Sequence, residues 1–487
     1  MLQKISSATL HLSSRTTCSK HLFTLHHPQT STRREFCNDL SGRLSNKKMG
    51  QASSLNTARS HTEGSDVVEV PSLISNTNKY EYNHHIQQVS SQQQLESVKG
   101  TDIENNEQTE VPSHWVMKDK KLVEFLNPWG EFKNPASGDV FKFQRDMAKN
   151  KPVIPTDEEL PQIKPNYELL FSPQEQSLNG DATPQVTWIG HSTFLIQYRG
   201  VNILTDPVFS DRCSPVSFMG PKRIKPLPIE IEKLPTIHFV VVSHNHYDHL
   251  DYAAFTKIQE HHDPVFLLPL KMKYSWMEKF YEEKKKSLIA KTKLVELDWW
   301  KSSSFNVRAE KKSDENVKIE SNVEFTFLPA QHWGLRSGFD RNEALWGSWG
   351  IEFTHLKDNV VSESEDNIKK FKLWFAGDTG YNHTCFKEIG TRYGPIDLSF
   401  IPIGAYEPRW FMKYQHVNPD DAVQVAVDTQ SKLSIGMHWG TFILTLEPIM
   451  QPKIDLEKSL KERNLDPNSF VVMAHGETNL FSNTQQL

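Results

Sequence analysis

Several things are scarce in this chain of 487 residues. Its four cysteines, Cys18, Cys37, Cys213 and Cys385, are widely scattered and form no CxxC pair. That argues for a reducing compartment and against a disulfide framework or a thiolate zinc site. No apolar run approaches the roughly 20 residues that span a bilayer, so any membrane association is expected to be peripheral. Basic excess is missing too. A formal net charge of −5 and a pI near 6.5 give no global attraction to nucleic acid. No internal repeat is visible at a period of about 20–50 residues. The length allows two or three ordinary domains, or one large α/β domain with extensions.

Residues 1–112 lack the apolar surface needed to offset chain entropy, and are expected to be a disordered extension. Within them, residues 1–34 contain no Asp or Glu but carry Lys4, Arg15, Lys20, Arg33 and Arg34. An acid-free, Ser-rich, basic start resembles an organelle transit peptide, with mitochondrial targeting as one destination; a solvated tail reads equally well. Met49-Gly50-Gln51-Ala52-Ser53-Ser54 fits the myristoylation pattern, which matters only if translation starts at Met49. Chance is the favoured explanation, and one myristoyl chain would bind membrane only marginally.

Residues 113–184 interleave aromatics with prolines and charges and are expected to form an irregular wrap around the main domain, residues 185–487. There the pattern turns strand-rich. Gln185–Gly190, then Phe194-Leu195-Ile196-Gln197-Tyr198, then Val201-Asn202-Ile203-Leu204 read as strands, the last two joined by a tight turn at Arg199-Gly200. Residues 271–286 look amphipathic. Residues 301–321 and 357–370 are polar and charged, and read as surface insertions between strands, where loop growth costs little.

The most informative stretch is His244-Asn245-His246-Tyr247-Asp248-His249, directly after the apolar run Phe239-Val240-Val241-Val242-Ser243. Imidazole and carboxylate are natural ligands of zinc and its first-row neighbours. A buried strand ending in such a cluster brings several ligands to one sheet edge. Three later strands repeat the grammar, ending at His332, Asp378 and His438. A lone His after a strand is more often structural, but three strand-end residues following an HxHxDH run point to a dinuclear metal site.

These residues carry a resemblance to the metallo-β-lactamase superfamily, which implies an α/β fold: an αββα sandwich with two metals at one edge of its sheets. The resemblance implies that His244, His246 and His332 hold one divalent ion and that Asp248, His249 and His438 hold the other, with Asp378 bridging. Zinc is the expected metal, although iron or manganese suits the same donors. Residues 187–193 (TWIGHST), 218–223 (FMGPKR), 243–251, 345–349 (LWGSW) and 401–416 (IPIGAYEPRWFMKYQH) are similar to the N-acyl-phosphatidylethanolamine-hydrolysing phospholipase D family. That likeness covers about residues 113–480.

It implies hydrolysis of N-acyl-phosphatidylethanolamine to N-acylethanolamine and phosphatidic acid, with a dimetal-bridged hydroxide attacking phosphorus. Asp248 and Asp378 would be the catalytic carboxylates, and Gln415 and His416 would contact the substrate. His191 and Asp206 are candidates for orienting the ligands, ordinary turn hydrogen bonds being the alternative. A membrane phospholipid substrate implies a protein peripheral on membranes, intracellular by its cysteine usage; the family implies a homodimer, and the net charge argues against a nucleic-acid partner. Trp410-Phe411-Met412-Lys413-Tyr414 and the cluster Lys222-Arg223-Ile224-Lys225 are candidate bilayer contacts, against core packing and a solvated loop respectively. A nuclease or lactonase on the same fold, or a lipid-binding protein without catalysis, are the rival readings.

Overall fold

The computed structural model describes residues 82–91, 111–130, 132–150, 152–172, 182–273, 291–311, 314–356 and 368–481. The transit-like segment 1–34, the Met49–Gly50 pattern, nearly all of the 271–286 stretch and the insertion up to residue 367 lie outside them.

The first described element is β1 (Tyr82–Ser91). It is followed by a hairpin of β2 (Trp115–Lys118) and β3 (Lys121–Phe125), then helices α1 (Ser137–Lys149) and α2 (Tyr167–Phe171). The wrap is thus more regular than its prolines suggested. It is pinned by the carboxylate of Asp298, which lies 2.7 Å from His114 Nε2 and accepts from Trp115 Nε1 at 3.0 Å.

Next come β4 (Gln185–Gly190), β5 (Thr193–Tyr198), β6 (Val201–Thr205), β7 (Phe239–Val241), α3 (Tyr252–His262), β8 (Val265–Pro269) and β9 (Lys293–Leu297). Arg199 and Gly200 both have positive φ, +48° and +76°, giving the tight turn expected between β5 and β6. β6 to β9 are parallel neighbours. The continuous apolar run before His244 follows from burial on both faces: Phe239 and Val241 face one core, Val240 and Val242 the other. The second core is closed by α3, through Phe255 and Ile258. Asp251 caps α3 by accepting from the Ala253 and Ala254 amides.

The second sheet is built from β10 (Lys301–Lys311), β11 (Asp314–Leu328), β12 (Ser348–Leu356), β13 (Ile368–Phe375), β14 (Leu398–Pro402), β15 (Ser434–Met437) and β16 (Phe470–Val471). Helices α4 (His383–Arg392), α5 (Arg409–Met412), α6 (Pro419–Asp428) and α7 (Gln451–Glu462) connect its later strands. β17 (Thr478–Leu480) returns to pair with β4. The strand orders are β1-β10-β11-β12-β13-β14-β15-β16 and β17-β4-β5-β6-β7-β8-β9. Trp188, Phe194 and Phe239 of one sheet share a core with Phe325, Trp349 and Phe375 of the other. Ile389 of α4, Val423 of α6 and Leu456 of α7 belong to the same core. This is the αββα sandwich that was expected.

Two expectations need correction. Residues 82–91, assigned to a disordered extension, form β1 and pair antiparallel with β10, Ile86 opposite Val307. With few apolar side chains, β1 is held by backbone pairing on an open sheet edge, which composition does not reveal. Residues 301–321 are also no loop. They supply β10 and the first half of β11, paired from Lys301↔Phe327 onward. The alternation of Phe305, Val307 and Ala309, all buried, was the strand signal hidden among polar neighbours.

Candidate metal centre

Six strand ends meet at one edge of the sandwich. From the seven-stranded sheet, β4 ends at His191, β6 at Asp206, and β7 at the run 244–249. From the eight-stranded sheet, β11 leads to His332, β13 to Asp378 and β15 to His438. His191, Asp206 and His438 have φ of +56°, +31° and +62°. Left-handed backbone at a non-glycine residue costs about 1–3 kcal/mol, and clusters where geometry serves a site. Gly377, at φ +59°, lies so close to the first sheet that an added Cβ would sit 2.6 Å from the Ser243 Cβ. Asp378 is delivered by that approach.

The side chains form two groups. In the first, His244 Nε2 is 2.8 Å from His246 Nδ1, His332 Nε2 is 3.3 Å from the same nitrogen, and Asp378 Oδ2 lies 3.8 and 3.9 Å from His244 and His332. In the second, Asp248 Oδ2 lies 3.2 Å from His191, 3.4 Å from His438 and 3.6 Å from His249. Asp378 Oδ2 is 3.1 Å from both His249 and His438, so it belongs to both groups. The donor atoms of His244, His246, His332 and Asp378 lie within 4.8 Å of one another, and so do those of His191, Asp248, His249 and His438.

Buried polar atoms are almost always hydrogen-bonded. Here His249 Nε2 and His438 Nε2, the ring nitrogens nearest Asp378, have no hydrogen-bond partner among the described residues, and neither does Asp378 Oδ1. Converging imidazole nitrogens and carboxylate oxygens, left unpaired and excluded from water, fit divalent cations. Electrostatics without ions tell the same story. Burial alone would raise the Asp378 carboxyl, but His249, His438 and His416 hold it well below the usual range. Burial opposes charge on His438, yet Asp378 and Asp248 push it up to about 9. Burial takes His332 down to about 4, and burial with the neighbouring His438 takes His191 down to about 3.

The ligands are oriented from behind. Asp206 Oδ2 lies 2.6 Å from His249 Nδ1 and accepts the Ser243 hydroxyl at 2.5 Å, while Oδ1 accepts the Ser243 amide at 2.7 Å. Ser243 Oγ is in turn 2.9 Å from His244 Nδ1. His332 Nδ1 is 2.8 Å from the carbonyl of Gln415, which leaves Nε2 for the site. Asp206 thus meets His249 and Ser243 from behind, while His191 Nε2 lies 3.2 Å from Asp248 Oδ2, among the donor atoms of the second group. Ser243 was read only as the end of a strand, and its place directly before His244 was the available signal.

Other expectations fare differently. Gln415 does not offer its amide to the site: Oε1 accepts from Trp333 Nε1 at 2.7 Å, and Nε2 donates to the Phe411 carbonyl at 3.3 Å. A turn in which both Gln415 and His416 amides donate to Met412 O separates the two side chains. His416 alone faces inward, Nδ1 3.9 Å from Asp378 Oδ2. Of the 410–414 run, Phe411 and Met412 are buried, and Phe411 stacks on Phe143 of α1 at 4.8 Å. Trp410 remains 44% exposed, with Lys142 Nζ 4.2 Å from its ring centre. In the 222–225 cluster, Arg223 is buried and donates to the carbonyls of Val208 and Ser210, and Lys225 pairs with Asp157 at 2.5 Å. Arg223 is an internal tie, and Lys225 is occupied by the exposed carboxylate of Asp157.

Fold and ligand geometry define a metal-dependent hydrolase of the metallo-β-lactamase fold. Residues 201–439 match the model of a β-lactamase superfamily domain. The N-acyl-phosphatidylethanolamine-hydrolyzing phospholipase D 1 of Caenorhabditis elegans is 40% identical over 296 residues, 60% of this chain and 74% of that protein. The mitochondrial N-acyl-phosphatidylethanolamine-hydrolyzing phospholipase D of Saccharomyces cerevisiae is 34% identical over 272 residues, 56% of this chain and 50% of that protein. Among solved structures, a metallo hydrolase from Ignicoccus hospitalis aligns with TM-score 0.38 and 19% identity, covering 62% of this chain and 99% of that one. The chain belongs to the N-acyl-phosphatidylethanolamine-hydrolysing phospholipase D family.

Proposed function

We propose that this protein is a zinc-dependent phospholipase D that hydrolyses N-acyl-phosphatidylethanolamine to N-acylethanolamine and phosphatidic acid. The observation that carries the reading is the pair of buried ligand groups sharing Asp378. His244, His246, His332 and Asp378 would hold one ion, and Asp248, His249, His438 and Asp378 the other. Ions bound there supply an acidified water at neutral pH and offset the charge that builds on a phosphodiester. The chain's own contribution is orientation. Asp206 fixes the ring of His249, Ser243 that of His244, and the Gln415 carbonyl that of His332. His416, held through its own carbonyl by Arg409 Nη1 at 2.8 Å, turns its imidazole toward Asp378 and meets the phosphate.

A lipid substrate is supported by the surroundings. A cavity of about 710 Å³ adjoins the ligand loop, lined by Arg212, Val216, Tyr247, Leu250, Tyr252 and Arg336 among others. Loops that line it continue into exposed apolar side chains: Phe218 at 79%, Met219 at 51% and Phe339 at 76%. Such groups favour a bilayer surface over water. No helix among the described residues is long and apolar enough to cross a membrane, so contact through these loops would be peripheral. The mitochondrial assignment of the yeast relative supports reading residues 1–34 as a mitochondrial address. A homodimer is part of the same proposal, checked by light scattering.

The test is hydrolysis of N-acyl-phosphatidylethanolamine vesicles by the purified full chain, beside Asp378→Asn and an assay of bound metal. Release of both products by the wild type alone is expected. Two bound ions without turnover of this lipid would sink the substrate assignment and direct attention to nucleic acid and lactones.

A further inference from the structure

Arg336 lies four residues after His332, in the connection between β11 and β12. It is 7% exposed. Its Nη1 points at three carbonyls of the other ligand loop: Leu250 at 2.6 Å, Asn245 at 3.3 Å and His246 at 3.4 Å. The guanidinium carbon stands 3.7 Å from the centre of the Tyr247 ring, and the Tyr247 hydroxyl donates to the Arg336 carbonyl at 3.2 Å. Asp340 Oδ1 accepts the amides of Arg336 and Ser337 at 3.0 and 2.7 Å, which folds this loop back on itself. The carbonyls of Asn245 and Leu250 bracket the run His246-Tyr247-Asp248-His249, and that of His246 opens it.

We propose that Arg336 is a positioning residue of the metal centre, locking the 244–249 loop to the His332 loop so that ligands from both sheets reach the ions together. The proposal rests on the reading that these residues hold two ions. A guanidinium suits the task because it is flat enough to stack on Tyr247 while its Nη1, fixed in the same plane, faces the carbonyl oxygens. Lysine would keep the charge and lose that geometry. A guanidinium remains a cation at neutral pH. Its contacts are to ligand backbone, and backbone displacement there moves His246, Asp248 and His249 at once.

The experiment compares the zinc-loaded full chain with Arg336→Lys and Arg336→Met. It measures zinc retained against graded chelator, the melting temperature of the metal-free proteins, and kcat and KM on N-acyl-phosphatidylethanolamine vesicles. Loss of zinc at about 10–100-fold lower chelator is expected, with a fall in kcat and little change in KM. Retention by Arg336→Lys within threefold of wild type overturns the proposal, even if the metal-free protein melts lower. So does a raised KM with kcat and zinc retention unchanged, which would assign Arg336 to substrate contact in the cavity. If Arg336→Met fails to fold, Arg336→Lys carries the test. A wild type that binds no zinc removes the underlying metal reading as well, and is distinguishable because it precedes any mutation.

Discussion

Replacing Asp206 by asparagine isolates ligand orientation from packing, because the amide has the shape of the carboxylate. Asp206 is fully buried and accepts from the Ser243 amide on one oxygen, while the Ser243 hydroxyl and His249 Nδ1 meet the other. Asparagine retains a single acceptor oxygen. If that oxygen faces the Ser243 amide, the new NH₂ faces His249 Nδ1, which can accept only by moving its proton to Nε2. That nitrogen is the one 3.1 Å from Asp378 Oδ2, and once protonated it cannot ligate. If the amide flips, its NH₂ opposes the buried Ser243 N–H, and an unsatisfied donor costs about 1–3 kcal/mol. Either branch should weaken metal binding by about 10–100-fold, which is about 1.4–2.7 kcal/mol. Competition with a chromophoric chelator, together with ions bound per chain, measures it. Asp206→Asn holding two ions with affinity within threefold of wild type would refute the reasoning.

Chelation should lower the melting temperature, since ions at 100 times their dissociation constant contribute about 2.7 kcal/mol per site; zinc should restore it and magnesium should not, because imidazoles dominate the donors. Gly377→Ala should destabilise by about 2–5 kcal/mol, combining about 1–2 for left-handed alanine with about 1–3 for overpacking against Ser243 and the Gly347 carbonyl; an unchanged urea midpoint would contradict the close approach. His475, buried against Trp188 at 4.3 Å, is held down to about 3 by burial and the charges of Arg223 and Lys225. The unfolded histidine titrates near about 6.5, so stability is full above that pH. It falls by up to about 1.4 kcal/mol per unit as pH drops toward the folded value. Urea unfolding of His475→Gln at several pH values should show a flatter acid limb; an identical slope would discount the residue.

The centre was legible because its donors stand at the ends of buried strands. Phe239–Val242 and Leu373–Ala376 are apolar throughout, so the first polar side chain after each run announces an edge, and its chemistry announces a purpose. Local pattern carried no information about direction at Gln415 and His416, where one turn decides which side chain faces the ions. Nor did it show that Arg223 points into the protein, since a cation on a loop reads the same whether it meets solvent or a carbonyl oxygen. β1 was missed because a strand on a sheet edge is specified by the neighbour it joins, and β10 because its inward alternation is diluted by serine and charge. Arg336 gave no signal at all, for its partners are backbone atoms some ninety residues away in the chain.

The division of the donors between two sheets has a consequence for how the molecule opens. The 244–249 run and His191 come from one sheet, and His332, Asp378 and His438 from the other, so each bound ion would be a rivet through both layers at a single edge. Ions placed this way resist separation of the layers, and add nothing to the internal ladder of either one. Loading must then follow docking of the second layer on the first. A half-assembled chain would offer incomplete donor sets, and metal would select for the finished sandwich instead of templating its parts. Hydrogen exchange should report this as slowed opening along the shared core, with the distant β1–β10 edge exchanging at the same rate with or without metal.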